Sequence, residues 1–268
     1  MGCLLIVTEI YSFVDKIWPF IALISGASLW ELFKYFFPDI KKIYDDRINA
    51  KKNLYKSIDP ILKSSSELYG KLESLSKEDF ATFINIQNSN SDDPLHNQKY
   101  VYYLFAQFWG QLEHIRIINQ YNSLTRINKG KELLRFIETF ESRKYRILDR
   151  SKQRIIGEIL IQGGGENFRI MSINEFIMQL NKNDSSLILW IKELEDFFMS
   201  VGEVKKRQIV LRYGILLAIF IDHFDPDHKV VRRRNIYKNK LTKDSKLMVK
   251  DNLLNHYLKF TKNQNRYY

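Results

Sequence analysis

Long apolar segments and helical periodicities dominate the pattern of hydrophobic and polar positions. The first is residues 17–37, IWPFIALISGASLWELFKYFF, whose first 14 positions carry no charge. Further helices are predicted at residues 100–121, 131–148 (with an extension to 159 left open), 173–180, 187–201 and 206–224. In residues 159–172, two apolar runs flank a glycine triplet, which is typical of a short β-hairpin. The sequence therefore predicts an all-α fold with one small hairpin.

A helix needs about 20 predominantly apolar residues to cross a bilayer, and residues 17–37 reach that length only by including Glu31 and Lys34. The residues expected at the membrane boundary are Trp18, Trp30, Glu31, Lys34 and Tyr35. Lys and Arg crowd the C-terminal side of the segment, so a span places the N-terminus outside and the remaining chain in the cytoplasm. We predict a single-pass inner-membrane anchor at residues 1–38. A buried or amphipathic helix is the alternative.

Residues 39–84 are predicted to form a juxtamembrane helical stalk. Apolar positions in this range recur at a mean spacing of 3.5 residues, the value for a coiled coil. The seam is Ile40, Ile43, Arg47, Ala50, Leu54, Ile58, Ile61, Ser65, Leu68, Leu72 and Leu75. Two interpretations follow: the helix packs on its own domain, or it self-associates and makes a homo-oligomer.

Charge divides the remaining chain into a cytoplasmic helical domain, residues 98–228, and a basic tail, residues 229–268. Twelve Lys or Arg and two Asp give the tail +10, which leaves +1 for residues 1–228. The tail residues expected to bind are Arg232, Arg233, Arg234, Lys238 and Lys240. Such a segment could be a solvated or partly disordered tail, could lie on anionic lipid, or could bind nucleic acid or an acidic protein.

Three clusters are candidates for chemistry, and each also has an ordinary structural explanation. DHFDPDH at residues 222–228 offers ligands for a divalent cation but lacks the EF-hand pattern. The glycine triplet 163–165 lacks the P-loop ending. Glu113 and His114 lack a nucleophile at a telling spacing. The single cysteine, Cys3, excludes an internal disulfide. We predict no enzymatic activity, no cofactor and no metal.

Several short segments carry a family resemblance. They are DPIL at 59–62 with Leu68 and Leu72, YLFAQFWGQLEHIR at 103–116, QRIIGEI at 153–159, EFIMQL at 175–180 and FDP at 224–226. In these the chain resembles a group of bacterial proteins with one N-terminal span, a basic juxtamembrane helix and a helical cytoplasmic domain. The resemblance implies the anchor and the helical fold, and it implies no activity. The basic tail departs from that pattern.

The expected function is therefore that of a membrane-tethered helical scaffold. The span would fix the location, the helical domain would bind a protein partner, and the tail would contact anionic lipid or a partner. The alternative is a nucleic-acid-binding protein that uses the basic tail.

Overall fold

The computed structural model describes residues 26–84, 93–117, 124–164, 168–182 and 185–268. The helices are α1 (Gly26–Lys77), α2 (Ala81–Ile84), α3 (Asp93–Ile117), α4 (Asn128–Phe140), α5 (Arg150–Ile159), α6 (Ile173–Leu180), α7 (Ser186–Met199), α8 (Val204–Phe224) and α9 (Lys243–Leu247). A π-helix (Met248–Tyr257) and two 3₁₀ turns (Lys238–Lys240 and Gln264–Arg266) lie in the last forty residues. The predicted, mainly helical fold is confirmed.

A two-stranded antiparallel sheet confirms the predicted hairpin. Strands β1 (Ile161–Gln162) and β2 (Arg169–Ile170) pair Ile161 with Ile170. Gly163 has a φ of 75°, a conformation that a residue with a Cβ rarely adopts, so the turn explains why glycine stands there. Helix α6 then begins with a capping box, in which Ser172 and Glu175 bond each other's backbone N–H.

The chain divides into two compact units between residues 49 and 50, inside α1. This boundary differs from those predicted at residues 38 and 84, and Pro60 does not end the helix. In the first unit, Ile40, Ile43, Tyr44 and Ile48 are 60%, 56%, 64% and 48% exposed. We call these four residues the apolar stripe, because spacings of three, four and eight residues place them on one helix face.

In the second unit, the seam residues of α1 are buried in their own core. They are Ala50, Leu54, Ile58, Ile61, Ser65, Leu68, Leu72 and Leu75. From residue 50 onward the seam therefore follows the first of the two interpretations, packing on its own domain. The seam positions before residue 50 do not share this burial.

Helix α8 is the central element of the second unit. It corresponds to the helix predicted at residues 206–224, and its residues from Gly214 to Ile221 are buried without interruption. Phe105 and Phe140, from α3 and α4, both contact the ring of Tyr213, at centroid distances of 5.6 and 5.3 Å. The hydroxyl of Tyr213 accepts a 3.0 Å hydrogen bond from Trp109, which satisfies its buried polar atom.

Helices α3 and α5 cross closely at two glycines. A Cβ added to Gly157 would lie 2.7 Å from the carbonyl oxygen of Trp109 and 3.0 Å from the nitrogen of Gly110.

The helix predicted to begin at residue 131 is interrupted, since α4 ends at Phe140 and α5 begins only at Arg150. Asp149 caps α5 by accepting the N–H of Ser151. The break lets the chain reverse and bring α5 against α3.

Residues 229–268 belong to the core of the second unit and are not a separate tail. Their buried apolar side chains are Val231, Tyr237, Leu241, Val249, Leu253, Leu254, Leu258 and Tyr267. Tyr69 of α1 donates a 2.6 Å hydrogen bond to the carbonyl of Asn235 and stacks on Tyr237. Burial of this apolar surface is the physical reason that a segment of charge +10 folds onto the body.

Candidate functional site

The acidic segment 222–228 forms the end of α8 and the turn after it. Asp225 is buried, and its carboxylate accepts the backbone N–H groups of Lys229, Val230 and Val231 at 2.8, 2.9 and 2.9 Å. Three such bonds satisfy a buried carboxylate. Asp225 therefore stabilises the turn after α8 and fixes the start of the basic segment 229–268.

Asp222 joins α8 to the last residues described. Its Oδ2 accepts hydrogen bonds from Arg266 at 2.8 Å and from the hydroxyl of Tyr267 at 2.6 Å. Its Oδ1 lies 3.2 Å from Nε2 of His228. Burial raises the pKa of the Tyr267 hydroxyl, which also donates to Asp222, so this phenol stays protonated.

His223 packs into a second network. Its Nε2 lies 2.8 Å from Glu132 and 3.0 Å from the Lys129 ammonium. Burial lowers the pKa of His223. Burial also acts to raise the pKa of Glu132, but hydrogen bonds from His223 and Lys129 outweigh it and the pKa of that carboxyl is lowered. The lowered pKa keeps the imidazole neutral at pH 7. A neutral Nε2 either donates to Glu132 or accepts from Lys129, according to the tautomer.

Every acidic side chain in the segment except the exposed Asp227 is therefore committed to folding contacts. Within the described residues, no three His, Cys, Asp or Glu side chains are arranged to hold a metal ion. The metal-binding alternative for residues 222–228 thus finds no ligand set there.

These networks surround a cleft of about 270 Å³. Its lining includes the ionisable residues Lys129, Asp222, His223, Arg233, Lys262 and Arg266, most of them basic, and we call it the basic cleft. Arg233 comes from the predicted binding residues of the tail. Lys262 and Arg266 belong to the basic tail but were not among its predicted binding residues. Lys129 was not predicted, because it lies more than a hundred residues away along the chain.

The other predicted tail residues do not share this surface. Arg234 lies over α1, where its guanidinium occupies the space that a Cβ on Gly70 would take. Arg232 and Arg234 line a second, small cavity beside Tyr69, which adjoins the basic cleft at Asp222, His228 and Arg266. Lys240 bonds Asp79 at 2.8 Å, and Lys238 is exposed. The fold therefore distributes the predicted patch over several surfaces.

A buried ionic cluster lies at the junction of α3, α4 and α5. The side chain of Glu141 is only 5% exposed. It pairs with Arg116, with Arg154 at 2.9 Å and with Arg150 at 3.5 Å. We call these four residues the arginine cluster. Glu113, considered for acid–base chemistry, pairs with Arg116 instead.

His114 also has a structural setting. Its ring stacks on Phe168 next to strand β2, and burial lowers its pKa. Both candidates for acid–base chemistry on α3 therefore have structural partners. The glycine triplet offers a turn at Gly163, while residue 165 lies outside the described residues.

Most of the predicted anchor cannot be compared with the structure. Trp18 and residues 1–25 lie outside the described residues, and so do the side chains of Trp30, Glu31 and Tyr35. Lys34 is exposed. Across the part of the chain that is described, no helix combines the length and the apolar character needed to cross a membrane.

No protein-family model, no curated protein and no solved structure matches this chain. The resemblance to a group of single-span bacterial proteins therefore stays a prediction.

Proposed function

We propose that this protein is a non-enzymatic, membrane-tethered scaffold whose helical body binds a protein partner. In this proposal residues 17–37 anchor the chain in the inner membrane as a single span, with the N-terminus outside and residues 39–268 in the cytoplasm. The observation that carries the proposal is the apolar stripe, which directly follows the apolar segment along the chain.

The apolar stripe supports an interfacial or partner-binding role for this part of α1. Four large apolar side chains, Ile40, Ile43, Tyr44 and Ile48, are about half exposed or more. Lys41, Lys42, Lys51 and Lys52 accompany them and are also exposed. Residues 39–52 carry five Lys or Arg and three Asp, so the helix combines one apolar face with a net positive charge. Such a helix suits the boundary of an anionic membrane, or a partner held there.

Alkaline carbonate extraction of cell membranes tests the tethering. The full chain is expected to stay in the pellet, whereas a variant with Ile21→Lys and Leu23→Lys, which places two charges in the apolar segment, is expected to be released. Release of the unaltered chain by carbonate would refute the anchor.

Crosslinking and pull-down from membranes tests the partner. The double variant Ile40→Ser, Ile43→Ser removes half of the apolar stripe and is expected to lose the crosslinked species. Lys42→Ser is the matched control, because residue 42 lies on the opposite face of the same helix. An unchanged pattern in the double variant would show that the stripe binds no partner. A crosslinked species of twice the chain's mass would identify a second copy of the chain as the partner.

Nucleic-acid binding is the second candidate, and one observation favours it: Arg232, Arg233 and Lys238 remain exposed although the segment is folded. Neutralising phosphates with Lys and Arg makes affinity fall steeply with salt. We expect a triple variant with glutamine at these three positions to lose affinity for a single-stranded oligonucleotide and to show a shallower salt dependence. Removing residues 229–268 is not a suitable test, because it would also remove core side chains.

A further inference from the structure

We propose that the basic cleft is a binding site for a phosphate-class anion, either inorganic phosphate or a phosphomonoester. The proposal goes beyond the scaffold function and does not depend on a membrane anchor, since every residue involved belongs to the unit formed by residues 50–268.

Charge is the first argument. Four cations line the basic cleft, Lys129, Arg233, Lys262 and Arg266, against one carboxylate, Asp222. Arg266 is held by Asp222 at 2.8 Å, and Lys129 lies 3.1 Å from Glu132. Arg233 and Lys262 are exposed and make no hydrogen bond or ion pair with any residue that the structure describes. Two cations thus remain to meet a ligand, and charge-assisted bonds to phosphate oxygens are among the strongest available to them.

The two uncommitted cations stand on backbone that other contacts fix. Asp225 holds the N–H groups of residues 229–231, two residues before Arg233. On the other side, Asn263 follows Lys262 in a left-handed conformation, with a φ of 52°, and opens the turn Gln264–Arg266. Asparagine tolerates that conformation well. Preorganised donors lose less entropy when they bind, so this framework favours affinity.

Size and shape select the class of anion. About 270 Å³ is somewhat below the usual range for small-molecule pockets, so it suits a compact ligand. A phosphomonoester carries about −1.5 to −2 charges at neutral pH, which matches Arg233 and Lys262. The aromatic rings that line the cleft are those of His223, His228 and Tyr267, and all three are largely buried, so none offers a broad open face on which a base could stack. The cleft therefore lacks the stacking platform of single-strand binders.

Phosphorus-31 NMR titration of inorganic phosphate with the full chain tests the proposal. We expect saturable binding at constant ionic strength, with chloride as the balancing anion so that screening cannot account for the signal. Arg233→Gln and Lys262→Gln are each expected to weaken binding about tenfold, since a lost charge-assisted bond of about 1.4 kcal/mol changes affinity by that factor. Lys238→Gln is the matched control: it removes an exposed cation of the same segment that does not line the cleft.

Folding does not confound the comparison, because Arg233, Lys262 and Lys238 are all exposed, and equal melting temperatures without phosphate would verify it. Wild-type affinity in both Arg233→Gln and Lys262→Gln would overturn the proposal. So would an equal loss in Lys238→Gln, which would indicate a diffuse surface effect.

Competition then distinguishes the sources of the phosphate group. Displacement of phosphate by glycerol 3-phosphate more readily than by dihexanoyl phosphatidic acid would identify a soluble ester. The opposite order, with no displacement by dihexanoyl phosphatidylglycerol, would identify a lipid monoester headgroup. Both results support the shared chemistry. Displacement by a single-stranded oligonucleotide at lower concentration than either would overturn the small-anion assignment in favour of nucleic acid. Release of the chain by carbonate would refute the anchor and leave these results unchanged.

Discussion

Replacing Glu141 by glutamine tests whether the arginine cluster stabilises the junction of α3, α4 and α5. The change keeps the shape of the side chain and removes one negative charge. Its partners Arg116, Arg154 and Arg150 then repel one another across a site where the Glu141 side chain is 5% exposed. Removing one member of a buried ion pair costs about 3–5 kcal/mol of unfolding free energy.

The environment of the three arginines sets the value within that range. The side chains of Arg150 and Arg154 are 52% and 40% exposed, so water can replace part of the lost interaction. Glu113 also remains to neutralise Arg116. We therefore expect Glu141→Gln to lower the unfolding free energy by about 3 kcal/mol, the lower end of the range for a broken buried pair.

Urea denaturation followed by tryptophan fluorescence at pH 7 measures this loss. The matched control is Glu138→Gln in the last turn of α4, directly before Glu141, which breaks an exposed pair with Arg135. That change should cost at most about 1 kcal/mol, as is usual for surface pairs. A loss for Glu141→Gln no larger than that of Glu138→Gln would refute the idea that the cluster stabilises the fold.

Three further predictions address the crossing, the histidine network and the turn after α8. Gly157→Ala should destabilise by about 1–3 kcal/mol, because its Cβ would meet the Trp109 carbonyl, whereas Gly164→Ala, with open space around it, should be nearly neutral in urea titrations. Burial lowers the pKa of His223 in the folded protein, so at pH values between that pKa and the unfolded value near 6.5 the unfolded chain takes up a proton that the folded protein does not. The free energy of unfolding should therefore fall as the pH drops below about 6.5, and the fall should be smaller in His223→Gln. Asp225→Ala should lower the melting temperature by several degrees, since about 1–3 kcal/mol is lost when buried N–H groups lose their acceptor.

Local sequence patterns predicted the elements whose signals lie within a few residues. The hairpin around Gly163 and the helix ending at Phe224 are both as expected. These elements follow either from interactions between residues close in sequence or from an apolar run too long to lie on the surface.

The last forty residues show where that reasoning fails. Their net charge of +10 suggested a solvated tail, yet Val249 and Leu253, four residues apart, are buried on the helical segment Met248–Tyr257, and Leu241 and Leu258 are buried on either side of it. The signal was present, and the charge count obscured it. Apolar positions between charged ones decide burial, because a Lys or Arg can keep its charge in water while its neighbours enter the core.

The basic cleft could not have been predicted from one sequence. Lys129 and Lys262 are far apart along the chain, and neither belongs to a motif. Their proximity follows from how α4, α8 and the final turn meet. Likewise, the acidic residues Asp222 and Asp225 resembled ligands in the sequence, but the fold gives each of them donors from residues that follow.

The contact of Tyr69 with Asn235 and Tyr237 has a consequence for biosynthesis. It closes a loop of more than 160 residues, so the second half of α1 cannot acquire its final neighbours until residue 237 has left the ribosome. At about 5–20 residues per second, a nascent chain waits many seconds with this helix face uncovered. Chaperone occupancy on nascent chains should therefore persist while the ribosome still covers residue 237, and decline only after that residue has emerged.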